Sequence, residues 1–370
     1  MNYSFLKNLD HSILIVTLIL ISLGLLIIFS VSYGYDDLDL GNFKKQAVFA
    51  IMGIAAMLLM SFFDYRFFKN YTAILYFVGF FLLTAVLLVG NTVRGMSGWI
   101  DLGFFHFQPS ELMKIILVIV LAKYFSFFSD KLFEFKKIVI SGICVGAPVI
   151  LVLLQPDMGS AMVMIFIWLG MLAAAGVKIR HLLAVFLIGA LIFAGSWSFL
   201  LEDYQKERLT TFLNPQADPL GGGYNVIQAV IAVGSGGFWG KGLGHGSQSQ
   251  LNFLPEKHTD FAFAVLAEEM GFVGVIFLLI LFAILLFKLI NISLKVQDNF
   301  GKMLASGAAV LLFSHIVINI GMNMGVMPVT GIPLPFISYG GSFLLSILIM
   351  LGIVQSVAAK GVRYKLKKEE

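Results

Sequence analysis

Apolar residues run along this chain in ten long blocks separated by short polar breaks. The blocks show neither the alternation of a half-buried strand nor the single stripe of a soluble helix. They fall near residues 12–32, 45–63, 71–90, 109–128, 137–154, 158–176, 181–201, 262–287, 303–325 and 341–359. A helix needs about 20 apolar residues to cross a bilayer, and one apolar on every face belongs inside a membrane or a large core. The pattern predicts an all-α polytopic membrane protein of ten transmembrane helices, a single integral membrane domain over residues 1–370. The first block is longer than a signal peptide's apolar region and lacks a small-residue cleavage site, so it is read as a span.

Composition agrees: 59% of residues are hydrophobic and 12% charged, where soluble domains carry about 25% charge. The charge that remains orients the bundle, because cytoplasmic loops collect Lys and Arg. With the N-terminus in the cytoplasm, sixteen basic residues fall on that side, among them Lys7, Arg66, Lys131, Lys178, Arg363, Lys365, Lys367 and Lys368. Seven fall outside, among them Lys44, Lys45, Arg94, Lys241 and Lys257; Lys114 and Lys123 lie within the fourth span. Both termini are then cytoplasmic. The net charge of +4 has a topological use and does not point to nucleic acid. The single Cys144 excludes a disulfide framework and a Cys-based metal site, and no GxxxxGK[ST] loop offers a nucleotide site.

On this topology the polar sequence gathers outside, in 91–110, 155–158, 202–261 and 326–340. "GWIDLGFFHFQPSELMK" (98–114) opens the fourth span, and Glu111 and Lys114 are neighbours on one face of its helix. They read either as a helix-start carboxylate with a lysine reaching outward or as a pair facing a wet cavity, since charges inside a membrane are costly. In "LQPDMGSAMV" (154–163), Asp157 is a helix cap or a second cavity carboxylate. "VGSGGFWGKGLGHGSQSQ" (233–250) carries seven glycines from Gly234 to Gly246 and reads as a tightly folded loop or a weak phosphate cradle. "MPVTGIPLPFISYGGS" (327–342) is irregular, and irregular backbone at membrane depth must be buried in protein or line a cavity. "LPEKHTDFAFAVLAEEMGF" (254–272) puts Glu256, His258 and Asp260 at the mouth of an apolar helix that Thr259 or Asp260 can cap. On that helix Glu268 falls about 80° and Glu269 about 180° from Asp260, which makes Glu269 a packing contact.

"FQPSELMK", "QPDMGS", the long run from Tyr224 to Gly274 and "MPVTGIPLPFISYGGS" together resemble the SEDS (shape, elongation, division, sporulation) family, in its elongation rather than its division branch. The chain departs from the family at Ala262, at "HGSQS" and at Phe343, none of them ionisable. The resemblance implies a peptidoglycan glycosyltransferase of the cytoplasmic membrane that polymerises the lipid-linked disaccharide lipid II at its outer face during elongation. It also implies a divalent cation, Mg²⁺ or Mn²⁺, lying near Asp260, and a class B penicillin-binding protein docked on spans eight and nine, with Phe277 and Ile316 as outward positions. Other elongation-complex membrane proteins would join them. The family's essential aspartate maps onto Asp260 and its cavity residues onto Glu111, Lys114, Asp157 and, at the second span, Lys45. Gln108, Glu256 and His258 stand in the same motifs and complete the candidate substrate-binding set. Asp260 would act as general base on the acceptor hydroxyl, with inversion at the donor's anomeric carbon and Lys45, Lys114 or the cation neutralising the departing diphosphate. A lipid II flippase is the rival reading; its site would sit nearer the membrane midplane, between repeats.

Overall fold

The computed structural model describes residues 9–361 apart from 33–39, 94–95, 102, 104–105, 128–134, 200–202, 220 and 252. Lys7, Arg94, Lys131, Arg363, Lys365, Lys367 and Lys368, used above for orientation, lie outside the described residues. The chain runs α1 (His11–Ser32), α2 (Gly41–Phe62), a one-turn α3 (Arg66–Asn70) and α4 (Thr72–Val89). Strands β1 (Asn91–Val93), β2 (Met96–Asp101) and β3 (His106–Phe107) follow, then α5 (Pro109–Phe127), α6 (Phe135–Leu153), α7 (Met158–Ala174) and α8 (Ile179–Phe199). The long loop holds α9 (Asp203–Leu213), α10 (Gly222–Ser235) and α11 (Ser247–Gln250), and the chain ends with α12 (Ala262–Lys295), α13 (Asn299–Asn323) and α14 (Gly341–Gly361).

Ten of these helices occupy the ten apolar blocks. Seven are long and apolar enough to cross a membrane by length and composition; α7 is shorter, α8 shows a shorter apolar stretch, and α5 carries Glu111, Lys114 and Lys123. Helix α13 forms the centre, packed on α5, α7 and α12, while α14 packs along α2. Pro109 suits the first turn of α5, where its missing N–H costs nothing. Asp157 caps α7 by accepting from Ser160 N at 2.9 Å, and Asp298 caps α13 through Gly301 N at 3.0 Å.

Three expectations change. The chain is not purely helical: β1, β2 and β3 form an antiparallel sheet between α4 and α5. The last turns of α12 extend past residue 287 to Lys295, and its wheel cannot be counted from Asp260, because the helix starts at Ala262 with Phe261 as N-cap and no side-chain cap bond. Neither Thr259 nor Asp260 caps it. Ile316 is 7% exposed and faces inward, whereas Phe277 (44%) and Phe313 (56%) face out.

Helix α12 also breaks at Gly271, whose φ of 64° and ψ of −165° belong to a region that only glycine populates freely. The break frees helix carbonyls and amides, and the glycine-rich loop takes them up. Lys241 N and Gly242 N donate to the Glu268 and Glu269 carbonyls at 3.0 Å, while Phe272 N and Val273 N donate to Gly237 O and Phe238 O at 2.9 and 3.2 Å. A Cβ on Gly271 would lie 2.2 Å from Gly240 N, and one on Gly240 would lie 2.2 Å from Glu269 O. The loop's amides are thus engaged in packing, so the phosphate-cradle reading gives way to the tightly folded one. Glu268 secures the same loop, accepting from Lys241 Nζ and Gln248 N at 2.9 Å and Ser249 N at 3.1 Å. Glu269 accepts from Ser30 Oγ at 2.6 Å on α1 and from Gln250 Nε2 at 3.4 Å.

Candidate functional site

The irregular segment between α13 and α14 is held in place by a polar stripe that runs down α13. His315, Asn319 and Asn323 recur every four residues on one face of the helix, and all three are 0% exposed. Asn319 Nδ2 donates to the carbonyls of Asp260 and Ile332 at 3.0 and 2.7 Å, and Asn323 Nδ2 donates to Asp260 O at 3.0 Å. Asn323 Oδ1 accepts from Ala264 N at 3.2 Å. Ser338 Oγ donates to Thr259 O at 2.6 Å, and Tyr339 N donates to His258 O at 2.8 Å. Gln46 of α2 accepts from Gly340 N at 3.1 Å. Irregular backbone at this depth must be buried in protein or line a cavity, and these side chains take up several of its freed groups.

These contacts frame a cavity of about 290 Å³ at one end of the bundle. Lys45, Gln108, Glu111, Asp157 and Asp260 all line it, together with Trp99 and His106 from the sheet. Five of the eight predicted site residues therefore converge from four separate places in the chain, Gln108 and Glu111 sharing the start of α5. Gln108 Nε2 donates to Asp157 Oδ2 at 3.1 Å, and Ser110 Oγ adds a longer bond at 3.4 Å. Gly331 leaves room beside Asp260, since a Cβ there would sit 3.7 Å from Asp260 Oδ2.

The other three stand behind the cavity wall. Lys114 is 1% exposed, its Nζ 2.8 Å from Glu111 Oε1 and 3.4 Å from His315 Nε2, while His315 Nδ1 lies 3.3 Å from Pro333 O. Lys114 is therefore neither a reaching lysine nor a cavity surface; it neutralises Glu111 from within. Glu256, with φ of 51°, accepts from Thr259 Oγ1 at 3.2 Å and shapes the loop ahead of Asp260, as does His258 through its carbonyl. In the same loop Lys257 Nζ donates to Ser249 O at 2.8 Å, and burial pushes its pKa below the usual lysine value.

The stripe on α13 was readable in the sequence as His315, Asn319 and Asn323 spaced four apart within an apolar block. Gln46, Ser338 and Ser342, whose Oγ accepts from Gln108 N at 3.1 Å, carried no such signal.

Residues 10–362 match the family model FTSW_RODA_SPOVE, described as "Cell cycle protein". Over 352 residues the chain is 39% identical to the peptidoglycan glycosyltransferase MrdB of Escherichia coli K12, covering 95% of this chain and 93% of that protein. It is 33% identical over 427 residues to the peptidoglycan glycosyltransferase RodA of Treponema pallidum, with 96% and 98% covered. A chain from a structure described as "Structural coordination of polymerization and crosslinking by a peptidoglycan synthase complex" matches at TM-score 0.81 and 34% identity, with 95% and 98% covered. The rod shape determining protein RodA of Thermus thermophilus matches at TM-score 0.70 and 29% identity, with 95% and 97% covered.

Proposed function

Since the chain belongs to the FtsW, RodA and SpoVE family, we propose that Asp260 is the general base of its glycosyl transfer and that lipid II is its substrate. The protein is a multi-pass membrane peptidoglycan glycosyltransferase. The observation that carries the residue-level reading is the convergence of Asp260, Glu111, Asp157 and Lys45 on one cavity.

In this reading the acceptor sugar hydroxyl attacks the anomeric carbon of a lipid-linked donor. Asp260 takes the hydroxyl proton, the bond from that carbon to the diphosphate breaks, and the polyprenyl diphosphate leaves with its electron pair. One displacement inverts the anomeric carbon. Lys45 lines the cavity and meets the departing charge, as preorganised cations do in phosphate-leaving reactions. Lys114 acts one step back, holding Glu111 in place through their ion pair at 2.8 Å. The polyprenol need never leave the bilayer, which is why the site sits among membrane helices.

Among the described residues no three of His, Cys, Asp and Glu gather closely enough to hold a metal ion. A Mg²⁺ or Mn²⁺ ion would be held by Asp260 together with oxygen groups that the substrate brings. When bound, such an ion supplies charge neutralisation at the diphosphate. We place the class B penicillin-binding protein against the outward faces of α12 and α13, at Phe277 and Phe313, with other elongation-complex membrane proteins nearby. The cavity is taken to open at the outer face, with both termini in the cytoplasm.

The test is polymerisation of labelled lipid II by the purified protein, with and without a class B partner. Wild-type protein should build glycan and Asp260→Asn should not. Equal polymer from both would remove Asp260 from the chemistry. Transfer of lipid II across vesicle bilayers without polymer would favour the flippase.

A further inference from the structure

The small sheet takes no part in this proton transfer, yet it looks onto the cavity. Trp99 pairs with Asn91 across β1 and β2, and Asp101 pairs with His106 across β2 and β3. Residues two apart on a strand share a face, and directly opposed residues share one too, so Trp99, Asp101 and His106 stand together. Trp99 and His106 line the cavity, which makes this face its wall on the sheet side.

The face mixes an aromatic plane with a polar rim. Trp99 is half-buried. His106 Nδ1 lies 3.6 Å from Asp101 Oδ1, with side-chain exposures of 58% and 43%, and Asp101 Oδ1 also accepts from Gly103 N at 2.8 Å. The strand beneath is firm. Gly98 is buried, with Gln155 Oε1 3.6 Å from where its Cβ would be, and Gln155 Nε2 donates to Leu83 O at 2.9 Å. A tryptophan serving only as an interfacial anchor would face lipid headgroups rather than line a pocket with three carboxylates.

We propose that this face is a saccharide subsite. The Trp99 indole stacks on the C–H face of one pyranose ring of the substrate, while His106 and Asp101 hydrogen-bond the hydroxyl or acetamido groups at the ring's edge. A hexose offers one flat apolar face ringed by donors and acceptors, and an indole flanked by an imidazole and a carboxylate complements both parts. A polyprenyl diphosphate has no such face. The subsite thus reads the sugar, while Lys45 meets the phosphate. This assignment rests on the transferase reading above, but it concerns binding rather than proton transfer.

The experiment compares two ligands on the detergent-solubilised full chain: lipid II, and undecaprenyl diphosphate, which lacks the sugars. Trp99→Leu should weaken lipid II binding about tenfold while leaving undecaprenyl diphosphate within about twofold, the scale of losing one aromatic anchor. Trp99→Phe should recover most of the difference. Retained undecaprenyl diphosphate affinity certifies the fold of each variant. If Trp99→Leu does not fold, His106→Gln, on the exposed rim, carries the same test: weaker lipid II binding with the diphosphate unaffected. In a variant that stays monodisperse in detergent, loss of both ligands together, or of neither, overturns the subsite. An active Asp260→Asn enzyme would sink the general-base reading and leave these affinities untouched, so the two failures are distinct.

Discussion

Asp260 is fixed by its backbone, not by its carboxylate acting as a cap. Asn319 and Asn323 both donate to its carbonyl, bonds that an asparagine at 260 keeps. Asp260→Asn should therefore melt at the wild-type temperature while polymer formation falls by about 10²–10⁴, the usual range for a general base. Lys114 is the opposite case. Removing it strands Glu111 in a buried place, so Lys114→Ala should cost about 3–5 kcal/mol. Adding Glu111→Gln should recover much of that loss, and thermal unfolding of the single and double variants checks it. The sequence made the pair legible, because an ionisable couple three residues apart at a span's start is conspicuous in an apolar chain. Which member faces the cavity was not legible. That depends on His315, which lies 201 residues from Lys114 and offers its ring from another helix.

At the scale of elements, the ten apolar blocks became ten helices because each is long enough to satisfy its own backbone. Their period leaves little else for them to do in a membrane. The sheet escaped notice: β1 and β3 have three and two residues, too short for an alternation to register. The break in α12 escaped as well, since Gly271 reads as one more glycine in an apolar helix. Its backbone conformation and the distant Gly240 together forbid a side chain there. Gly271→Ala should lower stability by about 1–3 kcal/mol from backbone strain alone, and by more through the clash with Gly240. The same substitution at Gly189, where a Cβ meets nothing within 4 Å, should be nearly silent. Differential scanning of the two variants separates a packed kink from a generic glycine effect. For the docking face, photocrosslinkers at Phe277 and Phe313 should capture a class B partner, while one at the inward Ile316 should not. Capture from α4 instead would move the interface.

On the scale of the whole molecule, the basic-residue count sets an orientation that labelling can check. The chain has one cysteine, so Cys144→Ala gives a clean background. A cysteine at Trp239 should react with a membrane-impermeant maleimide from outside intact cells, and one at Lys178 only after lysis. Reversal of that pattern would turn the bundle over and put the cavity in the cytoplasm. The convergence itself could not be read from the chain: residues 45, 111, 157 and 260 meet only once the helices between them are packed. A last consequence follows from how residue 260 is anchored. Because the chain there is gripped by main-chain bonds, a catalytically dead copy should keep its outer shape and its docking faces intact. Produced beside a normal copy, Asp260→Asn should compete for the same partners and block wall growth, a poisoned subunit rather than a missing one. A Gly271→Ala copy, lost to misfolding, should be recessive.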